Sequence, residues 1–430
     1  MEFELRHVTP PGAEFAALAS KHATDFAATA DRHDREGTFP FGHWEDLRRS
    51  GFLAATVPPE LGGLGVTDIG DLVVAISRLA RGDPATAIGA AMHSTAFWYL
   101  ARLLADRSAR PGDDRFAAGL RLLLRRCARG RVVACVSISE TGTSLGNPLT
   151  VAEPIPDGYV ISGKKTFCTN SPAATMFLCS VRVPAPGAGD RLGFALVPRE
   201  TPGVTVRDNW DALGMRASGS GDVSFSSCRV PRGLVTAAGP VGVLSEQILT
   251  LTMTGVLVLA GAFLGLAEHA HAVAVAGLRV SRPGSGQAAA GSRGVVQAAI
   301  GESEADLAAS RAVLARTAAL LRDGLATAGD PGPAGLSGLM KEVQCANMVV
   351  KRAAIAIVDR SLTTTGGRGY LSSSVLSRLY RDVRAGPFMQ PFSAIDAFEY
   401  IGRVALRAGP EGFGMTDIPD AIPISVGSQE

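Results

Sequence analysis

The segment Arg381-Asp382-Val383-Arg384-Ala385-Gly386-Pro387-Phe388-Met389-Gln390-Pro391 opens on charge and closes on apolar residues around one amide, Gln390. An amide cannot take a proton from carbon, since a general base for that step needs a titratable group. A second cluster, Ser139-Glu140-Thr141-Gly142-Thr143-Ser144, sets short hydroxyls and backbone amides beside a glycine. Such groups can approach the edge of a flat heterocycle and bond its polar atoms, where a larger side chain would block access. Gly163-Lys164-Lys165-Thr166-Phe167-Cys168-Thr169-Asn170 adds an aromatic ring and a hydroxyl. Phe167 reads either as an ordinary core residue of a strand or as a ring packed on a ligand. Gly366-Gly367 lets a backbone come close to a phosphate or simply ends a helix. His93, in Ala90-Ala91-Met92-His93-Ser94, is a lone histidine on a mostly apolar helix, a setting in which satisfied core histidines are common.

The hydrophobic period that must position these residues changes twice along the chain. From about residue 15 to 130, apolar residues recur at three- and four-residue spacing, as in Leu100, Leu103 and Leu104. Turn-rich loops at 58–65 and 111–114 break the helices this predicts. Between 132 and 231 the period moves toward two, in short runs such as Tyr159-Val160-Ile161-Ser162 separated by Gly, Pro and Asp turns. That predicts a small antiparallel β domain. Beyond it, 248–280, 295–323 and 339–364 have the lengths of bundle helices, with 324–338 as a flexible connector. The expected division is an N-terminal α-helical domain over 1–131, a middle β domain over 132–240, a helical bundle over 241–408 and a weakly ordered tail over 409–430.

With 430 residues, 46% of them hydrophobic, the chain can bury a large core. Lys and Arg number 42 against 40 Asp and Glu, so no charge excess draws in nucleic acid or an anionic membrane. The six cysteines form no CxxC pair and no His-bearing cluster at metal spacing, which reads as buried free thiols and no metal site. Glu2, Glu4, Arg6 and His7 do not make a secretory signal, and a cytoplasmic location is expected. Residues 248–266 are apolar at nearly bilayer-spanning length. Thr250, Thr252 and Thr254, with Glu246 and Glu268 flanking, predict a helix buried in a bundle instead.

Helices, then a β domain, then a bundle is the order of the acyl-CoA dehydrogenase superfamily, which this sequence resembles over nearly its full length. The specific residues are Ser139-Glu140-Thr141-Gly142, similar to the family's Thr-Glu-Pro-Gly; Asp157-Gly158-Tyr159; Gly163 to Asn170; Leu213-Gly214-Met215-Arg216-Ala217-Ser218; Val230-Pro231; and Thr365-Gly366-Gly367-Arg368-Gly369-Tyr370. The resemblance implies a mainly α fold with N-terminal helices, a middle antiparallel β-barrel domain and a C-terminal four-helix bundle. It implies a flavin, FAD or FMN, held by Ile138, Ser139, Gly142, Thr143, Phe167, Thr169, Arg282, Gly366, Gly367 and Ser393. Arg282 is the nearest counterpart of the family's Arg-x-x-Phe-Gly grip on adenosine, and Gly366-Gly367 would meet the flavin of a neighbouring subunit, so a homotetramer is expected. Arg216 is expected to orient the loop between β domain and bundle through carbonyls. His93 lies on a helix that in this family faces the substrate cavity, and the same two readings hold for Thr250, Thr252, Thr254 and Gly255: core or cavity.

The family ends with an Arg-Asp pair, a spacer and Tyr-Glu-Gly-Thr, and aligning the Arg-Asp pairs puts Gln390 where the glutamate base would stand. That departure points to the branch of flavin monooxygenases, in which reduced flavin and O2 form a C4a-hydroperoxide and no carboxylate base is needed. Arg384 to Ser393, with Asp34-Arg35 and Gly37-Thr38-Phe39-Pro40, is most similar to the amino-sugar nitrososynthases. The resemblance then implies N-oxidation of the amine of a dTDP-type amino-sugar nucleotide, with reduced flavin supplied by a flavin reductase and Gln390, Met389 and His93 at the reacting side. Three alternatives stand beside it: an acyl-CoA or acyl-carrier dehydrogenase whose base is Glu246, Asp396 or Glu399, a C-hydroxylase of an aromatic substrate, and a non-catalytic flavin-binding or structural protein that kept the fold and lost the base.

Overall fold

The computed structural model describes residues 3–108, 114–187, 189–243, 245–279, 290–326, 332–389 and 392–406. Helix α1 (Pro10–Glu36) starts where Thr9 accepts the Gly12 N–H and stops at Gly37 in the left-handed region. Then come α2 (Phe41–Arg49), α3 (Ile69–Ala80, capped by Asp68 on the Gly70 N–H), α4 (Pro84–Ser108) and α5 (Asp114–Ala128). In α4 the run from Ala85 to Ala91 is buried at nearly every position, because neighbouring elements cover this helix on most sides.

Strands β1 (Ala134–Ser137), β2 (Val151–Ile155), β3 (Gly158–Lys165), β4 (Met176–Val183), β5 (Arg191–Pro198), β6 (Val204–Val206), β7 (Val223–Pro231) and β8 (Val235–Pro240) follow. They form one eight-stranded sheet in the order β6-β7-β3-β2-β4-β5-β8, with β1 added on β4. The sheet is mainly antiparallel, as expected, with two parallel pairings added, of β1 and of β2 with β4. A long loop, not a hairpin, carries the chain from β1 to β2, which frees β1 to run alongside β4. Five of the cysteines are buried and Cys345 is half-buried, all as free thiols.

The bundle is built from α6 (Glu246–Arg279), α7 (Gly294–Ala326), α8 (Gly332–Thr365), a turn of helix α9 (Gly367–Tyr370), α10 (Val375–Asp382) and α11 (Ala394–Ala405). Among the described residues α6 is the helix long and apolar enough to cross a membrane, and 89% of its most apolar stretch is buried inside the protein. Gly261 and Gly265, one turn apart, let it lie against α3: a Cβ at Gly265 would overlap the Ser77 carbonyl. The expected connector over 324–338 is shorter than predicted, because α7 runs on to Ala326 and α8 begins at Gly332. Leu336, Met340 and Val343 all face the core at helical spacing, and that packing outweighs the low helix propensity of Gly335 and Gly338. The expected tail over 409–430 lies outside the described residues.

Candidate active site

Three segments meet at the edge of the sheet. The chain leaving β1 passes through Ile138 and Ser139, and the chain leaving β3 returns beside it, with the Thr166 N–H donating to the Ser139 carbonyl at 2.9 Å. The third segment, 215–221, accepts the Cys168 and Asn170 N–H groups on Gly221 and Ser218 at 3.0 and 2.9 Å. This stitching holds Phe167 at φ +53° and Asn170 at φ +59°, a region few non-glycine residues occupy. The Phe167 backbone is therefore fixed at a cost of about 1–2 kcal/mol, and its ring is left 62% exposed instead of entering the core. The ring meets the edge of Trp210 at 5.9 Å and 78°. Trp210 is in turn fixed by its indole N–H on the Met215 carbonyl at 2.9 Å.

The Phe167 ring opens onto a cavity of about 390 Å³. Ile138, Ser139, Phe167, Thr169 and Trp210 form its sheet side. Leu251, Thr252, Gly255 and Leu259 of α6, and Ile88, Met92 and Thr95 of α4, form the helical walls. The segment after α10 closes it with Arg384, Ala385, Phe388 and Met389. Among the described residues that line it there is no carboxylate and no histidine. Of its cations, Arg381 is spoken for by Asp34 through paired bonds of 2.9 and 2.5 Å. Arg384 is exposed, and its guanidinium stands 5.6 Å over the Tyr380 ring.

The sequence expectations divide accordingly. Ile138, Ser139, Phe167, Thr169 and Met389 line the cavity, and so do Thr252 and Gly255. The Thr169 hydroxyl pairs with that of Ser220 at 3.0 Å. Thr254 instead donates to the Thr250 carbonyl within α6 at 2.9 Å. His93 requires correction as a catalytic candidate: it is fully buried and is not among the residues that line this cavity. Its Nε2–H donates to the Leu53 carbonyl at 2.8 Å and its Nδ1 accepts the Ala134 N–H at 3.0 Å, so both nitrogens are consumed by backbone. Burial pushes it down to about 4, and it stays neutral. Its neighbour Met92 takes the cavity face.

Gly142, at φ +80°, and Thr143, whose hydroxyl donates to the Asn147 carbonyl, stand on the loop beyond Ser139 and outside the cavity wall. Ser393 serves as the N-cap of α11 in a capping box with Asp396, a structural use of both side chains. Gly366 and Gly367 are exposed, with open space around them. Arg282 and Gln390 lie outside the described residues. The alternative bases do not reach the cavity: Asp396 is in the cap, Glu399 pairs with Arg403 at 3.0 Å, and Glu246 is exposed at the start of α6.

Missed by sequence reasoning were Trp210, Arg384, Ser218 and Ser220. Trp210 stands five positions before Met215 in a segment whose later residues were noticed, and that proximity was the available signal. Arg216 bonds a carbonyl, that of Asp34 at 2.9 Å, and so ties its loop to α1. The buried Asp382 accepts the Met215 N–H at 2.6 Å. Burial drives its carboxyl up to about 6, even though Arg378 and that N–H act to lower it.

The sequence matches the N-terminal, middle and C-terminal domain models of acyl-CoA dehydrogenase over residues 13–106, 135–228 and 257–390. The chain belongs to the acyl-CoA dehydrogenase family. Within it, the chain is 36% identical over 403 residues to an amino sugar nitrososynthase, DnmZ, of Streptomyces peucetius, covering 93% of this chain and 94% of that one. It is 35% identical over 408 residues to an L-evernosamine nitrososynthase of Micromonospora, covering 93% and 91%. The structure is similar to that of KijD3 in complex with FMN and dTDP-3-amino-2,3,6-trideoxy-4-keto-3-methyl-D-glucose, with TM-score 0.86, 34% identity and coverage of 94% and 96%. It is also similar to FMN-bound TdsC of Paenibacillus, with TM-score 0.81, 26% identity and coverage of 92% and 97%.

Proposed function

We propose that this chain is a flavin-dependent monooxygenase that N-oxidises the amine of a dTDP-type amino-sugar nucleotide to the hydroxylamine or nitroso sugar. The observation that carries this is the cavity itself: a presented aromatic ring and hydroxyls on one side, apolar walls on the others, and no described carboxylate lining it. An alkyl amine in its neutral form is already nucleophilic, so the site must strip it of water and aim it, not deprotonate carbon. Relatives at 36% identity that are named amino sugar nitrososynthases support the substrate class. The base positions of the dehydrogenase alternative all lie away from the cavity.

The residues fit a flavin. Phe167 and Trp210 offer ring surface, and Ser139 and Thr169 offer hydroxyls to polar atoms of a planar ring. When bound, reduced FMN or FAD would supply two electrons to activate O2, one oxygen atom going to nitrogen and the other leaving as water, with one such round for the hydroxylamine and a second reduced flavin and O2 for the nitroso sugar. Leu251, Leu259, Phe388 and Met389 give the site the apolar lining that removing water from the amine calls for. Arg384 would meet the diphosphate of the nucleotide, since a phosphate entering an apolar cavity needs a counter-charge and a guanidinium binds it in two places. A separate flavin reductase is the proposed source of reduced flavin, the cytoplasm the proposed location, and a homotetramer the proposed assembly.

The test is to incubate the protein with FMN, NADH, a flavin reductase, O2 and a dTDP-linked 3-amino sugar. Mass spectrometry should show an oxygenated sugar nucleotide formed only with every component present. Bleaching of the oxidised flavin by an acyl-CoA thioester, with no oxygenated sugar, would overturn the proposal in favour of a dehydrogenase.

A further inference from the structure

Behind the sheet side of the cavity lies a buried ion pair. Lys165 is 0% exposed and Glu140 3%. The Lys165 ammonium donates to Glu140 Oε1 at 2.6 Å, to the Ser180 carbonyl at 2.7 Å and to Ser180 Oγ at 2.9 Å, which uses its full set of donors. The carboxylate also accepts the Leu149 N–H at 2.5 Å, the Thr150 N–H at 2.9 Å and the Thr150 hydroxyl at 2.6 Å. Ser180 Oγ passes the network on to the Ile138 carbonyl at 3.3 Å. Burial acts to raise the Glu140 carboxyl, but Lys165 and the N–H and hydroxyl donors outweigh it and hold the group below its ordinary value.

The placement of this pair is specific. Glu140 directly follows Ser139, and Lys165 stands two residues before Phe167. By bonding Leu149 and Thr150, Glu140 also closes the loop that departs from Ser139. A buried ion pair is a poor source of stability, since apolar residues of the same volume often do as well or better. What a fully satisfied network supplies is one allowed geometry.

We infer that Glu140 and Lys165 are positioning residues for the flavin wall: their ion pair fixes the spacing between Ser139 and Phe167 and thereby sets flavin affinity. The inference rests on the flavin reading above. It is tested on the full chain by pairing Glu140→Leu with Lys165→Met, measuring melting temperature, FMN affinity by fluorescence quenching, and the visible spectrum of bound FMN. The double variant should stay folded but melt at a lower temperature, because the Thr150 N–H and the Ser180 carbonyl lose their partners; it should bind FMN about tenfold or more weakly and lose the resolved shoulders of the bound spectrum. Wild-type affinity and spectrum in the folded double variant would overturn the inference. If the double variant does not fold, Lys165→Arg carries the test, because it keeps the charge but not the three short bonds. About tenfold weaker FMN binding at an unchanged melting temperature supports the inference, and loss of both or of neither overturns it. Wild-type protein that binds no FMN removes the flavin reading itself, which the variants cannot do.

Discussion

Phe167 combines two costs that a purely structural residue would avoid, a left-handed backbone and an exposed ring. Both are explained if the ring is covered by a ligand. Phe167→Ala should therefore leave the melting temperature of the ligand-free protein nearly unchanged while weakening FMN binding by about 1–2 kcal/mol, on the order of tenfold. Equal FMN affinity, measured by titration, would count against the assignment. Arg384→Gln should weaken binding of dTDP about tenfold or more but leave thymidine binding unchanged, because only the former carries the charge that needs it. Lys351 shows a different use of burial. Its amine lies 5.7 Å from the Phe263 ring, and burial pushes it down to about 7 from 10.5. The unfolded chain keeps this proton up to the higher value, so the stability the group allows is present above pH 10 and lost as pH falls through about 7. At about 1.4 kcal/mol per unit, the native state is penalised by up to roughly 5 kcal/mol at pH 6. Lys351→Met should raise the melting temperature at pH 6 and do much less at pH 10, as calorimetry at the two values would show.

At the scale of elements, helix α4 shows what one residue of register decides. Ile88, Met92 and Thr95 lie on its cavity face, and His93, about 100° further round, sits against Leu53 and Ala134 and joins the helix to the N-terminal loop and to β1. His93→Ala should cost about 2–4 kcal/mol by leaving a cavity and two unsatisfied backbone groups. Its sign with pH is also fixed. The wild-type histidine resists protonation down to about 4, while the unfolded chain protonates near 6.5, so its stabilising contribution is present above pH 6.5 and lost as pH falls toward 4. Denaturant titrations of wild type between those values should show falling stability, and the slope should flatten in the variant. The sequence announced α4 as a helix but not its rotation, because its apolar residues run nearly all round. By contrast Ile138, Ser139, Phe167 and Thr169, which the family resemblance singled out, all line the cavity, since the segments that carry them leave neighbouring strand ends. Trp210 is placed by Phe167 and the Met215 carbonyl, Arg384 stands over Tyr380, and Glu140 meets Lys165 across 25 positions, so their roles follow from the folded chain even where the residues stand in segments the resemblance had marked.

At the scale of the molecule, the Arg-Asp pair joins all three parts of the chain: Arg381 holds Asp34 of α1, Arg378 holds Asp31 at 2.6 Å, and Asp382 holds the Met215 N–H of the middle segment. Gly214 permits the close approach, because a Cβ there would overlap the Arg381 carbonyl. The cavity between these parts is thereby set within one chain, but the bundle surface is not finished. Tyr370 and Ile395 are each 80% exposed and Leu406 is 81% exposed, on elements that follow or pack on α8. Large apolar side chains left in water favour association. Gly366 and Gly367, exposed beside Tyr370, add a backbone with room for a partner's cofactor to approach. In sedimentation experiments the wild-type protein is therefore expected to run as a tetramer. Tyr370→Ser combined with Ile395→Arg should shift it to smaller species, because each new side chain makes burial of that face unfavourable. FMN affinity should fall with the assembly, although neither residue lines the described cavity. A variant that dissociates yet binds FMN as tightly as wild type would show that each chain completes its own flavin site, and a wild-type monomer with full flavin affinity would show that no partner is needed at all.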